Sequence, residues 1–225
     1  FQKAAENFSI DVTIAKQIEI YKILLRRKER VVKRNGVTIC GSYGKNNAGD
    51  DAILEAIVSE ITSIDPDLRI RVLSRTPKRT RLSYRVDSYY TFNPFMIVKA
   101  FLSSKLYING GGNLIQDITS TRSLLFYLFT IWLGKRTGCS VMMYGCGIGP
   151  VSRPLNRKLA ARIMNRNVDA ISLREPESGE ELKRLGVSNP DIILSADPAL
   201  ILDPSPPCEV QSAMLSSGLS PQDRY

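Results

Sequence analysis

The run Asn109-Gly110-Gly111-Gly112-Asn113, followed by Gln116, Asp117, Thr119, Ser120 and Arg122, is the part of the chain best equipped for chemistry. Leu106-Tyr107-Ile108 before it reads as the end of a short buried strand, and the apolar residues from Leu124 onward read as a helix interior. The glycines are therefore expected at a strand-to-helix turn. There, N–H groups can face a ligand with no Cβ in the way, and the helix N-terminus adds partial positive charge, which together suit a phosphate or carboxylate. The same glycines would also serve close strand-to-helix packing with no ligand at all. The polar residues behind them exceed what one cap requires and are read as site residues, with capping by Thr119 or Ser120 as the rival explanation.

Other chemistries are excluded or demoted. The chain has no histidine, which removes Ser-His-Asp and Cys-His nucleophile arrangements and leaves acid/base work to carboxylates. Cys40, Cys139, Cys146 and Cys208 show no Cys-x-x-Cys spacing, so no metal site is expected, and reduced thiols in a cytosolic protein are. A second glycine stretch, Gly145-Cys146-Gly147-Ile148-Gly149-Pro150, matches the dinucleotide fingerprint no better than the first, and no P-loop motif occurs.

The elements that must position these residues alternate. Strands are expected at Gly36–Gly41, Leu68–Ser74, Tyr84–Tyr90, Lys105–Ile108, Ser140–Tyr144, Val168–Leu173 and Asp191–Leu194. Helices are expected from Asp51 to Ser63, Asn93 to Ser104, Ile118 to Gly138, Pro154 to Asn167 and Pro176 to Leu185, with Pro77 to Arg81 as a basic loop. Short apolar runs alternating with helices predict a doubly wound parallel sheet of Rossmann-like α/β class, covered on both faces. Ligands bind such sheets at the carboxyl ends of the strands. The loops Ser42 to Asp51, Gly110 to Arg122, Gly145 to Pro150 and Arg174 to Ser178 fall there, as does Asp197-Pro198.

With 225 residues, 43% of them hydrophobic, the chain can bury a substantial core. Its longest apolar run, Leu124 to Leu133, is about half of what a bilayer span needs. Much of the net charge of +9 belongs to Lys22–Arg34, which holds seven basic residues and one acid. With Ile14, Ile18, Tyr21, Leu24 and Leu25 this segment, residues 1–35, is expected to form a basic amphipathic helix. It suits either an anionic membrane surface or plain solvent. Nucleic acid is not expected, since only Tyr21 could stack there.

Five ordered motifs between Val37 and Leu200 carry a resemblance: Tyr43-Gly44-Lys45-Asn46-Asn47-Ala48-Gly49-Asp50-Asp51-Ala52-Ile53-Leu54, Gly110 to Leu125, Tyr144 to Pro150, Ile171 to Ser178, and Ala196-Asp197-Pro198-Ala199. Together they resemble the polysaccharide pyruvyl transferase family, in particular its bacterial cell-wall branch. The resemblance implies the N-terminal domain, residues 36–203, of a glycosyltransferase-B-like enzyme. Such an enzyme moves pyruvate from phosphoenolpyruvate, its co-substrate, onto two sugar hydroxyls as a cyclic ketal, with no other cofactor. It implies a saccharide acceptor, lipid-linked in that branch, at the inner face of the cell membrane, and allows an oligomer.

On this resemblance Arg174, Asp117 and Asp50 are the catalytic candidates. Substrate-binding candidates are Tyr43, Asn46, Asn47, Gly49, Asp51, Gly110, Gly111, Gly112, Asn113, Gln116, Thr119, Arg122, Gly147, Gly149 and Asp197. Arg153 is a weaker anion binder; each arginine could instead form a surface ion pair, and each aspartate could instead cap a helix. Cys146 stands where the family usually has glutamine. The family's second domain, with a histidine expected in catalysis, should follow Asp203, whereas residues 204–225 read as a linker or frayed terminus. The chain is thus expected to be an amino-terminal half, inactive alone. The alternatives are the acceptor-side domain of a glycosyltransferase and a non-catalytic saccharide-binding module.

Overall fold

The computed structural model describes residues 34–218 together with Glu19 and Lys22. The basic helix expected over residues 1–35 lies almost wholly outside the described residues.

Seven strands form one parallel sheet. They are β1 (Val37–Cys40), β2 (Ile70–Ser74), β3 (Asp87–Tyr90), β4 (Leu106–Ile115), β5 (Ser140–Ile148), β6 (Ala170–Leu173) and β7 (Asp191–Leu194), in the order β3-β2-β1-β4-β5-β6-β7. The helices between them are α1 (Ala48–Ile64), α2 (Pro77–Tyr84), α3 (Pro94–Leu102), α4 (Thr121–Arg136), α5 (Pro154–Asn167) and α6 (Pro176–Leu185). A 3-10 turn, Pro198–Ile201, and α7 (Pro207–Ser216) follow β7.

The central strands are buried on both faces, which is why they read as short, mostly apolar runs, broken only by buried polar residues such as Thr38, Arg71 and Ser172. Ile97 and Phe101 of α3, Leu124, Leu128 and Ile131 of α4, Ala160 and Met164 of α5 and Leu182 of α6 share the core on one face. Ile53, Leu54, Ile57 and Ile61 of α1 fill the other. This is the doubly wound α/β fold expected from the alternation.

Local chemistry fixes where the helices begin. Asn47 accepts from the Gly49 N–H at 3.0 Å to start α1, and Asn93 accepts from Met96 at 3.2 Å to start α3. Ser120 starts α4 by accepting from Ser123. Proline occupies the opening turn of α2, α3, α5 and α6, where its missing N–H costs nothing.

Several sequence expectations need correction. Pro77–Arg81 is not a loop but most of α2, a polar surface helix with Thr80 alone buried, so it carries no apolar stripe to betray it. Its end at Tyr84 confines β3 to Asp87–Tyr90. The larger correction concerns the glycines. Gly110 to Gly112 do not sit at a strand-to-helix turn; they lie inside β4, which runs on to Ile115. Gly145 and Gly147 likewise lie inside β5, not in a loop. The two strands extend together because their ladder continues through Gly110↔Tyr144, Gly112↔Cys146 and Asn113↔Gly147, with a register shift before Ile115. Beyond β7, residues 207–216 of the expected tail form α7, none of whose side chains is buried.

Candidate functional site

The strand order turns back between β1 and β4: successive units step outward through β2 and β3, then return to place β4 on the other side of β1. Loops that diverge at such a switch leave a crevice above the carboxyl ends of the strands. A cleft of about 890 Å³ occupies this position. Gly41, Ser42, Tyr43 and Lys45 line it from the loop after β1, and Arg75 from the end of β2. Thr91 and Phe92 follow β3, and Thr119 to Phe129 bring in the start of α4. This volume accommodates a small anion together with a sugar ring.

Three cations reach the cleft. Among the described residues, none of Lys45, Arg75 and Arg122 forms an ion pair with a carboxylate. Arg75 holds its guanidinium 4.6 Å from the centre of the Phe92 ring, which orients the charge without neutralising it. The buried Thr91 hydroxyl on the cleft wall has no hydrogen-bond partner among the described residues. The 16-residue helix α4 begins beside Arg122 and adds its N-terminal dipole. The predicted anion-friendly helix start is thus in the site, although the glycines are not what forms it.

The Asp50 carboxyl sits between Gly112 and the polar groups of the β1 loop. One of its oxygens lies 3.4 Å from where a Gly112 Cβ would be. Burial raises its pKa above the ordinary carboxylate value. Asp51 adds to that rise, while a hydrogen bond from Ser42 and the charges of Lys45 and Arg174 oppose it. The Ser42 hydroxyl also bonds the Tyr127 phenol, whose pKa is raised first by burial and then by Cys40 and Asp50. Ser42 and Tyr127 both line the cleft.

The glycines make this approach possible by packing. A Cβ on Gly111, at φ +71°, would fall 2.2 Å from the Ile53 side chain, so α1 can lie against β4 only because that residue is glycine. Gly110 gives the same clearance to Ile57 and to the Tyr43 hydroxyl, which donates to the Gly110 carbonyl at 2.8 Å. Tyr43 is nearly fully buried, and its phenol is committed to this bond.

The other predicted residues are hydrogen-bonded or paired within the protein. Asn46 accepts a short hydrogen bond from Arg79, Asn47 caps α1 at Gly49, and Asp51 pairs with Arg79 at 3.6 Å. Gln116 and Thr119 bond each other, side chain to side chain at 2.6 Å and through the Thr119 N–H at 3.1 Å. Asp117 accepts from the Ser152 and Arg153 N–H groups at 2.7 and 3.0 Å and from Asn156 at 2.8 Å, closing the start of α5. Burial pushes the Asp117 carboxyl up, but these hydrogen bonds outweigh it and hold the pKa below its usual value. Arg153 supplies its N–H to that cap.

Over β5, β6 and β7, Arg174 donates to Asp197 at 2.9 Å and lies 3.9 Å from Glu175. Asp197 also caps the 3-10 turn at Ala199. Gly147 lies directly beneath this group, since a Cβ there would be 2.9 Å from Glu175 and 3.6 Å from Arg174. Asn113 donates to the Gly149 carbonyl at 2.6 Å. Cys146 is buried, its thiol pushed up to about 12 chiefly by that burial, so its departure from glutamine puts no reactive group in the cleft.

A match to the model of the polysaccharide pyruvyl transferase family spans residues 47–220. The chain belongs to that family. The match covers well over half of the chain, from the cap of α1 to beyond α7, and so includes the extended strands and the Arg174 and Asp197 loops. No match was found among curated proteins.

Sequence reasoning singled out Arg122, Asp50, Thr119 and Tyr43 in or beside this cleft and missed Lys45, Arg75, Ser42, Thr91, Phe92 and Tyr127 as site residues. Arg75 and Thr91 were findable, since each immediately follows a strand at its carboxyl end. Tyr127 was not, because in sequence it is one more residue of an apolar helix.

Proposed function

We propose that this chain carries the phosphoenolpyruvate-handling cleft of a ketal-pyruvyl transferase acting on a saccharide, as in the cell-wall branch of the family. The observation behind this is that Lys45, Arg75 and Arg122 line the cleft without carboxylate partners among the described residues, with Asp50 within reach of the Lys45 charge. Phosphoenolpyruvate carries a carboxylate and a phosphate on adjacent atoms, and three cations with a helix N-terminus suit both groups.

Asp50 then does the proton work. In its acid form it protonates the methylene carbon of the enol, making a methyl group and an electrophilic central carbon. One sugar hydroxyl adds there and returns its proton to the Asp50 carboxylate. The second hydroxyl displaces phosphate, which leaves with that hydroxyl's proton, and the cyclic ketal closes. One pyruvyl group is transferred and one phosphate released, with no redox change. Arg174, held by Asp197, acts on the Asp50 charge rather than on the donor. A second domain would close over the acceptor. The basic segment within residues 1–35 adds a route to the membrane face where a lipid-linked acceptor lies.

The test is phosphate release from phosphoenolpyruvate by the purified chain with an N-acetylmannosamine-containing acceptor, alone and with added residues beyond Tyr225. Acceptor-dependent release abolished by Arg122→Ala supports the reading. Saccharide binding with no release in either form would favour a binding module. Sugar transfer from a sugar nucleotide with release of its nucleoside diphosphate, and no phosphate from phosphoenolpyruvate, would favour a glycosyltransferase.

A further inference from the structure

The cleft opens onto a surface that water should not favour. Helix α4 presents Leu125, Phe129, Trp132 and Arg136 outward at helical spacing, and α3 beside it presents Phe95, Val98, Lys99 and Leu102. Phe95 is 84% exposed, Leu102 51% and Phe129 47%. In each helix the opposite face is core, so both are apolar almost all round. Phe92, Leu125 and Phe129 belong at once to this surface and to the cleft wall.

The charge is as one-sided as the hydrophobicity. Between Phe92 and Arg136 the one acidic residue is Asp117, which is buried in the α5 cap. Lys99, Arg122 and Arg136 are exposed along the same face, with the Arg136 guanidinium 5.8 Å over the Trp132 ring. Among the described residues no helix is long and apolar enough to cross a membrane. An exposed stripe of Phe, Leu and Trp flanked by Lys and Arg, with no exposed acid, is the composition of a surface that lies in the headgroup layer.

We propose that the outward face of α3 and α4 docks on an anionic lipid bilayer, setting the cleft mouth at the headgroup plane. A dimer face would require a partner for the basic residues, and the face carries no acid to supply one to a second copy. Docking here is separate from any contact made by the basic segment before residue 35, and it does not depend on the reaction assigned to the cleft.

Trp132 is the sole tryptophan of the chain and sits on this face, so it reports on docking directly. The full chain would be mixed with vesicles of phosphatidylcholine, with or without phosphatidylglycerol, and followed by co-sedimentation and by Trp132 emission. Expected are binding that needs phosphatidylglycerol, a blue shift, and quenching by acyl chains brominated near the headgroup. The double variant Phe95→Ser with Leu102→Ser, both outside the cleft, should bind about tenfold more weakly or worse while keeping its circular dichroism and melting point. Lys99→Glu with Arg136→Glu should remove the preference for phosphatidylglycerol.

Sedimentation with vesicles but no change at Trp132 would overturn the proposal and credit the N-terminal segment. A Trp132 shift that follows protein concentration without lipid would overturn it in favour of a second copy. Absence of binding to either vesicle would overturn it outright, and the phosphate-release assay would be unaffected by that result.

Discussion

The carboxyl edge of the sheet has two halves built from similar residues that behave differently. Around β5, β6 and β7 three charges are answered: Arg174 by Asp197, Asp117, just past β4, by the start of α5, and Arg157 of α5 by Glu181 at 3.1 Å. Over β1, β2 and β4, Lys45, Arg75 and Arg122 face a cleft with no carboxylate paired to them among the described residues, and a threonine hydroxyl is left over. Leaving such groups unsatisfied costs stability, and a fold retains them where a ligand completes them. Polar density alone therefore does not mark a site; cations that face a cleft without a carboxylate partner do.

The sharpest way to break this contrast is Asp50→Asn. Removing a general acid should lower turnover by about 10²- to 10⁴-fold. Burial raises the pKa of Asp50, so activity that needs its acid form should decline as pH rises through that raised value. The variant's residual activity should lack this limb. Initial-rate phosphate release against pH checks both, and an unchanged limb would move the acid elsewhere.

Next in size, Arg75→Ala combined with Arg122→Ala should cost about 10²- to 10³-fold, roughly 2.7 to 4 kcal/mol of transition-state binding. The melting temperature should hardly move, because neither side chain has a carboxylate partner to lose among the described residues. In the closed half the pattern should invert. Asp117→Ala strands two backbone N–H groups and Asn156, and should lower unfolding stability in urea by about 2 to 3 kcal/mol. Turnover per folded molecule should be retained. If instead it vanished with stability intact, the closed half would be part of the active centre.

The sequence made the fold readable because parallel strands buried on both faces leave short, mostly apolar runs between helix signals; Val37–Cys40 and Ala170–Leu173, each with a single hydroxyl residue, are such runs. It misplaced the glycines because Gly111 owes its identity to Ile53, a residue on another element, and no local pattern records that contact. The site was legible as a set of loops and blurred in its membership. Arg174 and Arg122 look alike in sequence, and only the fold brings Asp197 to one and not to the other. Tyr127 and Ser42 became neighbours through the packing of α4 beside the β1 loop, a long-range event.

The smallest effect is the most discriminating. Arg174→Ala should cost about 0.2 to 1 kcal/mol of stability, as for a partly exposed ion pair, and a double-mutant cycle with Asp197→Ala should return a coupling of that order. Its effect on turnover should stay under about tenfold, through the loss of a charge that lowers the Asp50 pKa. The pH limb assigned to Asp50 should then move upward, because the cation opposing protonation is gone. A guanidinium that binds the donor directly would behave otherwise. Its removal would raise KM for phosphoenolpyruvate and cost about 10²-fold or more, and Asp197→Asn, by freeing it, would lower KM. Kinetics on those two variants decide whether the halves remain as they stand or whether substrate binding opens the second into the first.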